Sequence, residues 1–350
     1  MGDAETLLRI TLDATYAIGS ELSGVGLYSR QILSGLAALQ PDVRFDFACR
    51  PHRYLRRAEL PAAPNVRPRL LLDPFGPRGA DLFHGLNQRV PHMHFRRVVA
   101  TFHDLFVLTG EYSTPEFRVR FAGQARDAAH RADLIITVSA FTKSQVVSEL
   151  GVPESRVRVI HHGTRQLTFP PALREKVILN VGTIQKRKNI ARLVEAFETL
   201  DPQWRLVLAG SASGFGAAEI MARIESSPAR NRIEVLGYVS PEALSNWYRR
   251  SEIFAFPSLD EGFGMPLLEA MAAGTPIVTS NHSALPEVAG DAAILVEPGD
   301  TEALGQALRH LTTDQGLRRD LAQRGIARAR LFTWGKAVRE TWQVYQELLG

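Results

Sequence analysis

Two hydrophobic rhythms alternate along the chain. Short apolar runs rich in Val, Ile, Leu and Phe are the pattern of strands buried on both faces of a parallel sheet. Between them, apolar residues recur every three or four positions, as on helices that bury one side. The runs predict strands at residues 8–12, 45–48, 82–84, 98–102, 134–138 and 157–160, then at 177–181, 206–209, 233–236 and 253–256. A helix over 27–39 would bury Leu27, Ile32, Leu33, Leu36 and Leu39, and another spans 115–132. Ser139 reads as the N-cap of a helix reaching Leu150. Three helices close the chain at about 302–311, 317–331 and 334–349; in the last, Trp334, Val338, Trp342 and Tyr345 form a packing face. Such alternation specifies the α/β class with doubly wound parallel sheets. A change of pattern at Pro170-Pro171 divides it into a domain over 1–168 and a second over 169–333, leaving 334–350 as a terminal helix.

One stretch carries more chemistry than the rest. The strand at 253–256 feeds a loop with Gly262 and Gly264, and a helix is predicted to begin near Pro266, whose fixed φ suits a first helical position. A helix start offers unpaired N–H groups and a positive dipole end, which together hold anions. Glu261 stands in the loop and Glu269 on the helix, with seven residues between them. Further anion-binding material follows the strand at 177–181, where Gly182-Thr183 leads to Lys186, Arg187 and Lys188 ahead of a helix. Gly24 and Gly26, between the first strand and the helix predicted from Leu27, either cradle a phosphate or simply turn the chain. His103-Asp104 falls at the carboxyl end of a strand, where ligands bind in open α/β sheets, and so does His84. His103 is a functional candidate or a loop cap; His84 is a weaker candidate for the acceptor side.

The segment from Glu261 to Glu269, with its tail Ala-Met-Ala-Ala-Gly-Thr-Pro-Ile-Val, resembles the Glu-x7-Glu signature of retaining glycosyltransferases of family 4. The resemblance is patchy over residues 1–160 and close to continuous from about 176 to 349; Asn281 to Ala293 is similar to the mannosyl-transferring members. It implies the GT-B fold: two Rossmann-like domains facing a cleft, with the C-terminal helix crossing back to the first. It also implies roles. Glu261 and the backbone of Gly262, Phe263, Gly264, Met265, Pro266 and Leu267 would face the donor sugar and its phosphates, and Glu269 the ribose. Lys188, with Arg187 beside it, would hold the pyrophosphate; Tyr238 and Val239 would meet the base through backbone groups; Gly24 and Gly26 would lie near the phosphates or the acceptor. His103 would contact the sugar or polarise the transition state. One departure stands out, since many members have arginine where this chain has Thr183.

Composition narrows the function further. Hydrophobic residues make up 45% and charged residues 22%, no apolar run reaches the length of a membrane span, and the acidic start is not a signal peptide, so a cytoplasmic protein is expected. Met1 to Thr6 fits only the loose myristoylation pattern. A lone cysteine, Cys49, excludes an internal disulfide. Residues 1–168 carry 21 Lys/Arg against 16 Asp/Glu, concentrated between Arg50 and Arg57 and at Arg96-Arg97. A basic first domain either docks peripherally on an anionic membrane bearing a lipid-linked acceptor or is simply solvated. Nucleic acid is a poor fit, for want of zinc spacing or a recognition-helix pattern. His161-His162 has no accompanying carboxylates, so neither metal nor cofactor is expected. The expected enzyme moves a hexose, mannose by resemblance, from a nucleoside-diphosphate sugar such as GDP-mannose to a glycan or lipid-linked acceptor. A nucleotide-sugar epimerase and a non-catalytic nucleotide-sugar-binding subunit are the alternatives.

Overall fold

The computed structural model describes residues 7–164 and 173–350. They form two compact units. The first holds the chain through Leu108, then Pro115–Gly163 and Thr333–Gly350; the second holds Thr109–Thr114 and Thr164–Phe332. Pro170-Pro171, the expected boundary after residue 168 and the Met1 to Thr6 pattern lie outside the described residues.

The first unit is built on a seven-stranded sheet of β1 (Arg9–Asp13), β2 (Arg44–Cys49), β3 (Val66–Leu70), β4 (Leu82–Gly85), β5 (Val98–Phe102), β6 (Leu134–Thr137) and β7 (Val157–Val159). Their spatial order is β3-β2-β1-β4-β5-β6-β7. The second unit has six strands, β8 (Glu175–Val181), β9 (Arg205–Ala209), β10 (Ile233–Gly237), β11 (Ser251–Phe256), β12 (Ile277–Ser280) and β13 (Ile294–Val296), in the order β10-β9-β8-β11-β12-β13. All pairs are parallel, as in the register Ile10↔Phe45 and Ile10↔Leu82. Both sheets therefore repeat one doubly wound order, which reverses beside β1 in one and beside β8 in the other. β3 escapes the sequence pattern because it is an edge strand, with Pro68 and two arginines where a central strand would be apolar.

Each unit has its own core. In the second, Ile178, Leu206, Ile253 and Val278 of the sheet meet Val194 and Phe197 of the helix Ile190–Glu198. In the first, Phe83, Ala100, Phe102 and Ile135 meet Phe121 and Ala125 of the helix Pro115–Arg131. Each of the Val, Leu, Ile and Phe side chains among them contributes roughly 1.5–3 kcal/mol on burial. Ser139 caps its helix as expected, accepting from the Thr142 amide at 3.0 Å.

The helix expected from Leu27 begins at Gly24, because Ser23 caps it by accepting from the Gly26 amide at 3.2 Å. Gly26 also lets that helix press on the turn Thr15–Ala17, where a Cβ would lie 2.7 Å from the Tyr16 carbonyl oxygen. The final helix, Trp334–Leu349, belongs to the first unit. It packs against the helix Gly24–Leu39 so closely that a Cβ on Gly35 would meet Val338 at 2.3 Å. Trp334, Val338 and Tyr345 are buried on this face, while Trp342 is half-buried.

Candidate functional site

In the second unit, β8 and β11 are neighbours at the reversal of strand order, so the loops after their carboxyl ends emerge side by side. The loop after β8 bends at Gly182, where φ is +140°. The chain after β9 comes against it: a Cβ on Gly210 would lie 2.0 Å from the Gly182 carbonyl oxygen, so only glycine fits.

The loops after β8 and β11 bring together residues 73 and 74 positions apart. Arg187 Nη1 lies 2.8 Å from Glu261 Oε2, and Lys188 Nζ lies 2.5 Å from Oε1. The side chains of Arg187, Lys188 and Glu261 are only 8–10% exposed. Lys188 Nζ also sits 4.7 Å from the centre of the Phe256 ring, and Arg187 donates to the Asp260 carbonyl. The loop is pinned in return, since the Leu259 amide donates to the Arg187 carbonyl at 2.8 Å and the Glu261 amide to Ser283 Oγ at 3.1 Å. Burial alone would raise the Glu261 carboxyl, but the two cations outweigh it and hold its pKa at about 2. The three-cation trap expected from sequence is thus different in form: Lys186 is exposed, and Arg187 and Lys188 converge on a carboxylate.

Asp260, next in the chain, has the opposite environment. Burial pushes its carboxyl up to about 6, with Glu261 adding to the rise and Arg187 and Thr109 opposing it. Its Oδ2 accepts from Thr109 Oγ1 at 3.4 Å, while its buried Oδ1 has no hydrogen-bond partner among the described residues.

The helix expected near Pro266 runs Met265–Ala272, with Gly264 as N-cap at φ +99°. Gly262, Phe263, Gly264 and Leu267 are buried, and Met265 and Pro266 half-buried. Glu269 is half-buried and its Oε2 accepts from the Tyr248 hydroxyl at 2.9 Å. Burial, reinforced by Glu269, pushes the Tyr248 phenol well above its ordinary range, so it remains a donor. Thr183 is half-buried on the β8 loop. Tyr238, 53% exposed, and Val239 follow β10, which β9 separates from β8; they are not part of the Glu261 cluster.

The first unit holds the remaining candidates. His103 Nε2 lies 2.9 Å from the Leu86 carbonyl oxygen. A carbonyl only accepts, so this nitrogen carries the proton and Nδ1 keeps its lone pair. The ring meets Tyr28 edge-on at 4.8 Å and stacks on His162 at 5.5 Å. Burial pushes its pKa down to about 4, leaving it neutral at pH 7. The neutral ring would fill either expected role, sugar contact or transition-state polariser, with Nδ1 as its acceptor. His84 is corrected: it is buried with Nδ1 2.6 Å from the Tyr345 hydroxyl and Nε2 2.8 Å from Thr101 Oγ1, a structural bridge. Gly24 is exposed and Gly26 has its amide taken by Ser23; both lie in the first turn of the helix Gly24–Leu39. Among the described residues, no group of three or more His, Cys, Asp or Glu is placed to hold a metal ion.

Sequence reading missed Asp260, Ser283, Tyr248 and Thr109. The adjacent acidic pair Asp260-Glu261 was a usable signal. Ser283, at φ +60°, lies within a stretch already singled out, but its hydrogen bond to the Glu261 amide is a tertiary fact.

Comparison with known proteins defines the class. Residues 23–165 match the model for Glycosyltransferase Family 4, and residues 168–328 match that for Glycosyl transferases group 1. The O-antigen chain mannosyltransferase B of Escherichia coli is 32% identical over 284 residues, covering 76% of this chain and 74% of its own. Sucrose-phosphate synthase from Thermosynechococcus elongatus superposes with a TM-score of 0.76 at 24% identity, covering 97% of this chain and 99% of its own. Anabaena Alr3699/HepE in complex with UDP and glucose does so with a TM-score of 0.74 at 18% identity, covering 97% of this chain and 99% of its own. The chain belongs to glycosyltransferase family 4, with relatives that are mannosyltransferases, and its two parallel-sheet units are those of the GT-B fold.

Proposed function

We propose that this glycosyltransferase is retaining and metal-independent, and that it moves mannose from GDP-mannose to a glycan or lipid-linked acceptor. The observation that carries the reading is the Arg187–Glu261–Lys188 cluster at the start of the helix bearing Glu269. As the glycosidic bond loosens, negative charge builds on the leaving pyrophosphate. Arg187, Lys188 and the helix dipole supply the positive charge to meet it without a divalent ion. Arg187 takes the part that Thr183 cannot. Glu261, shared with these cations, contacts the sugar, and Glu269, steadied by Tyr248, accepts from the ribose hydroxyls. Backbone groups at Gly262 to Leu267 line the phosphates, Tyr238 and Val239 meet the base, and neutral His103 accepts from a sugar hydroxyl. Mannose is favoured by the 32% identity to an O-antigen chain mannosyltransferase.

Incubation of the protein with a panel of nucleotide sugars and an oligosaccharide acceptor tests the reading. GDP-mannose should give an α-linked product by NMR, and excess chelator should leave the rate unchanged. A β-linkage, a different preferred donor, or activity lost to chelator and restored by a divalent ion would each overturn the matching part. Among the described residues no helix is long and apolar enough to cross a membrane. A peripheral contact is supported by Leu55, which is 89% exposed and is followed directly by the exposed Arg56 and Arg57. Co-sedimentation with phosphatidylglycerol vesicles but not phosphatidylcholine vesicles should detect it.

A further inference from the structure

The buried charges around Glu261 pose an electrostatic problem. Arg187 and Lys188 bring two positive charges; Glu261 and Asp260, when both are ionised, bring two negative ones. A neutral cluster has no net attraction for a pyrophosphate. Glu261 cannot relieve this, because both cations hold its carboxylate directly at 2.8 and 2.5 Å. Asp260 can. It touches neither cation with its carboxylate: Arg187 donates to its backbone carbonyl instead. Its Oδ1 is buried without a hydrogen-bond partner among the described residues, one residue before the carboxylate that both cations hold.

We propose that Asp260 is a further donor-site residue that binds the nucleotide sugar as the neutral acid, donating its proton through Oδ1 to a donor oxygen. The inference rests on the donor site proposed above. The groups facing Asp260 set the balance. Arg187 on the β8 loop favours the carboxylate, and Thr109 donates to Oδ2 at 3.4 Å. Glu261 on its own loop disfavours it, and Tyr112, whose phenol is pushed up by burial and then by Asp260, lies on the same segment as Thr109. A phosphate entering beside Arg187 and Lys188 offsets their charge and repels the Asp260 carboxylate. The least costly response is one proton taken from solvent. With a carboxyl at about 6 in the free protein, roughly nine-tenths of the molecules are ionised at pH 7 and must take up that proton on binding.

Calorimetry with GDP-mannose and with UDP-glucose tests this, because the pyrophosphate diester of a nucleotide sugar does not itself titrate near pH 7. Titrations in buffers of different ionisation enthalpy should show more than about half a proton taken up per donor at pH 7, and affinity falling up to about 50-fold from pH 6 to pH 8. Asp260→Asn, fixed in the neutral form, should abolish the uptake, flatten the pH dependence and bind more tightly than the natural protein at pH 8. Binding with no proton uptake, or with uptake unchanged in Asp260→Asn, overturns the inference and leaves the donor site standing. Absence of binding by either nucleotide sugar overturns the donor reading itself. Should Asp260→Asn fail to fold, Thr109→Val replaces it: loss of the bond to Oδ2 should move the break in affinity to higher pH, and an unmoved break overturns the inference.

Discussion

Replacing Glu261 with Gln probes the centre of the second unit. The substitution keeps the shape of the side chain and removes its charge, so Arg187 and Lys188 lose the buried carboxylate that both contact. At separations of 2.8 and 2.5 Å, each pair is worth about 6 kcal/mol in gross Coulomb energy at an effective dielectric of about 20. Much of that is offset by the cost of keeping the carboxylate out of water, so the expected net loss is the roughly 3–5 kcal/mol seen when one partner of a buried ion pair is removed. For a unit of this size that lowers the melting temperature by about 10 °C. The two cations then lose the anion they share, and the neighbouring Asp260 carboxylate offsets only part of their charge. Added GDP should therefore raise the melting temperature of Glu261→Gln by more than that of the natural protein, even though transfer is lost. Differential scanning calorimetry with and without the nucleotide gives both numbers. A melting temperature within about 2 °C of the natural protein, or equal stabilisation by GDP, would refute the reasoning, since either means that the cations do not depend on Glu261.

Glu269→Ala should raise the KM for donor at least tenfold with kcat little changed, because the ribose takes no part in bond breaking; Tyr248→Phe, which removes only the hydrogen bond to Oε2, should raise it about fivefold. An unchanged KM in steady-state kinetics removes Glu269 from the donor site. Acid should destabilise the first unit, where burial holds His84 near 3 and His103 near 4, both below the ordinary 6.5, and lowers His162 as well. Their folded-state values are depressed, so the stabilisation is complete above about pH 6.5 and is lost as the pH falls through about 4, at up to roughly 1.4 kcal/mol per histidine per pH unit. Circular dichroism melts from pH 7 to pH 4 should follow that fall, and a flat profile would count against neutral burial. Gly264→Ala places a side chain at φ +99° with its Cβ 2.8 Å from Leu285; it should cost about 1–3 kcal/mol and weaken donor binding, and a neutral melt would show that the turn relaxes freely.

Much of this protein is written in local pattern. Short apolar runs fixed most of the strands, since a strand buried on both faces has few other compositions open to it. The cap at Ser139 and the fixed φ of Pro266 marked helix starts through backbone chemistry confined to three or four residues. The Glu-x7-Glu spacing put one carboxylate in a loop and one on a helix. Local pattern started the helix Gly24–Leu39 three residues late, at Leu27, because a serine cap one residue before Gly24 extends it through both glycines. It also left His84 open as an acceptor-side residue, because being at a strand end does not reveal a tyrosine 261 residues later that occupies its nitrogen.

What tertiary structure alone decided follows from strand order. β8 lies beside β11, with β9 and β10 carried to the other side, so Arg187 and Lys188 reach a carboxylate 73 or 74 residues away. Adjacency of that kind comes from right-handed crossovers between parallel strands, and helical or strand periodicity carries no trace of it. The same holds for Asp260: its type and place were legible, but its missing partner and its raised pKa exist only once the loops and Thr109 have closed around it.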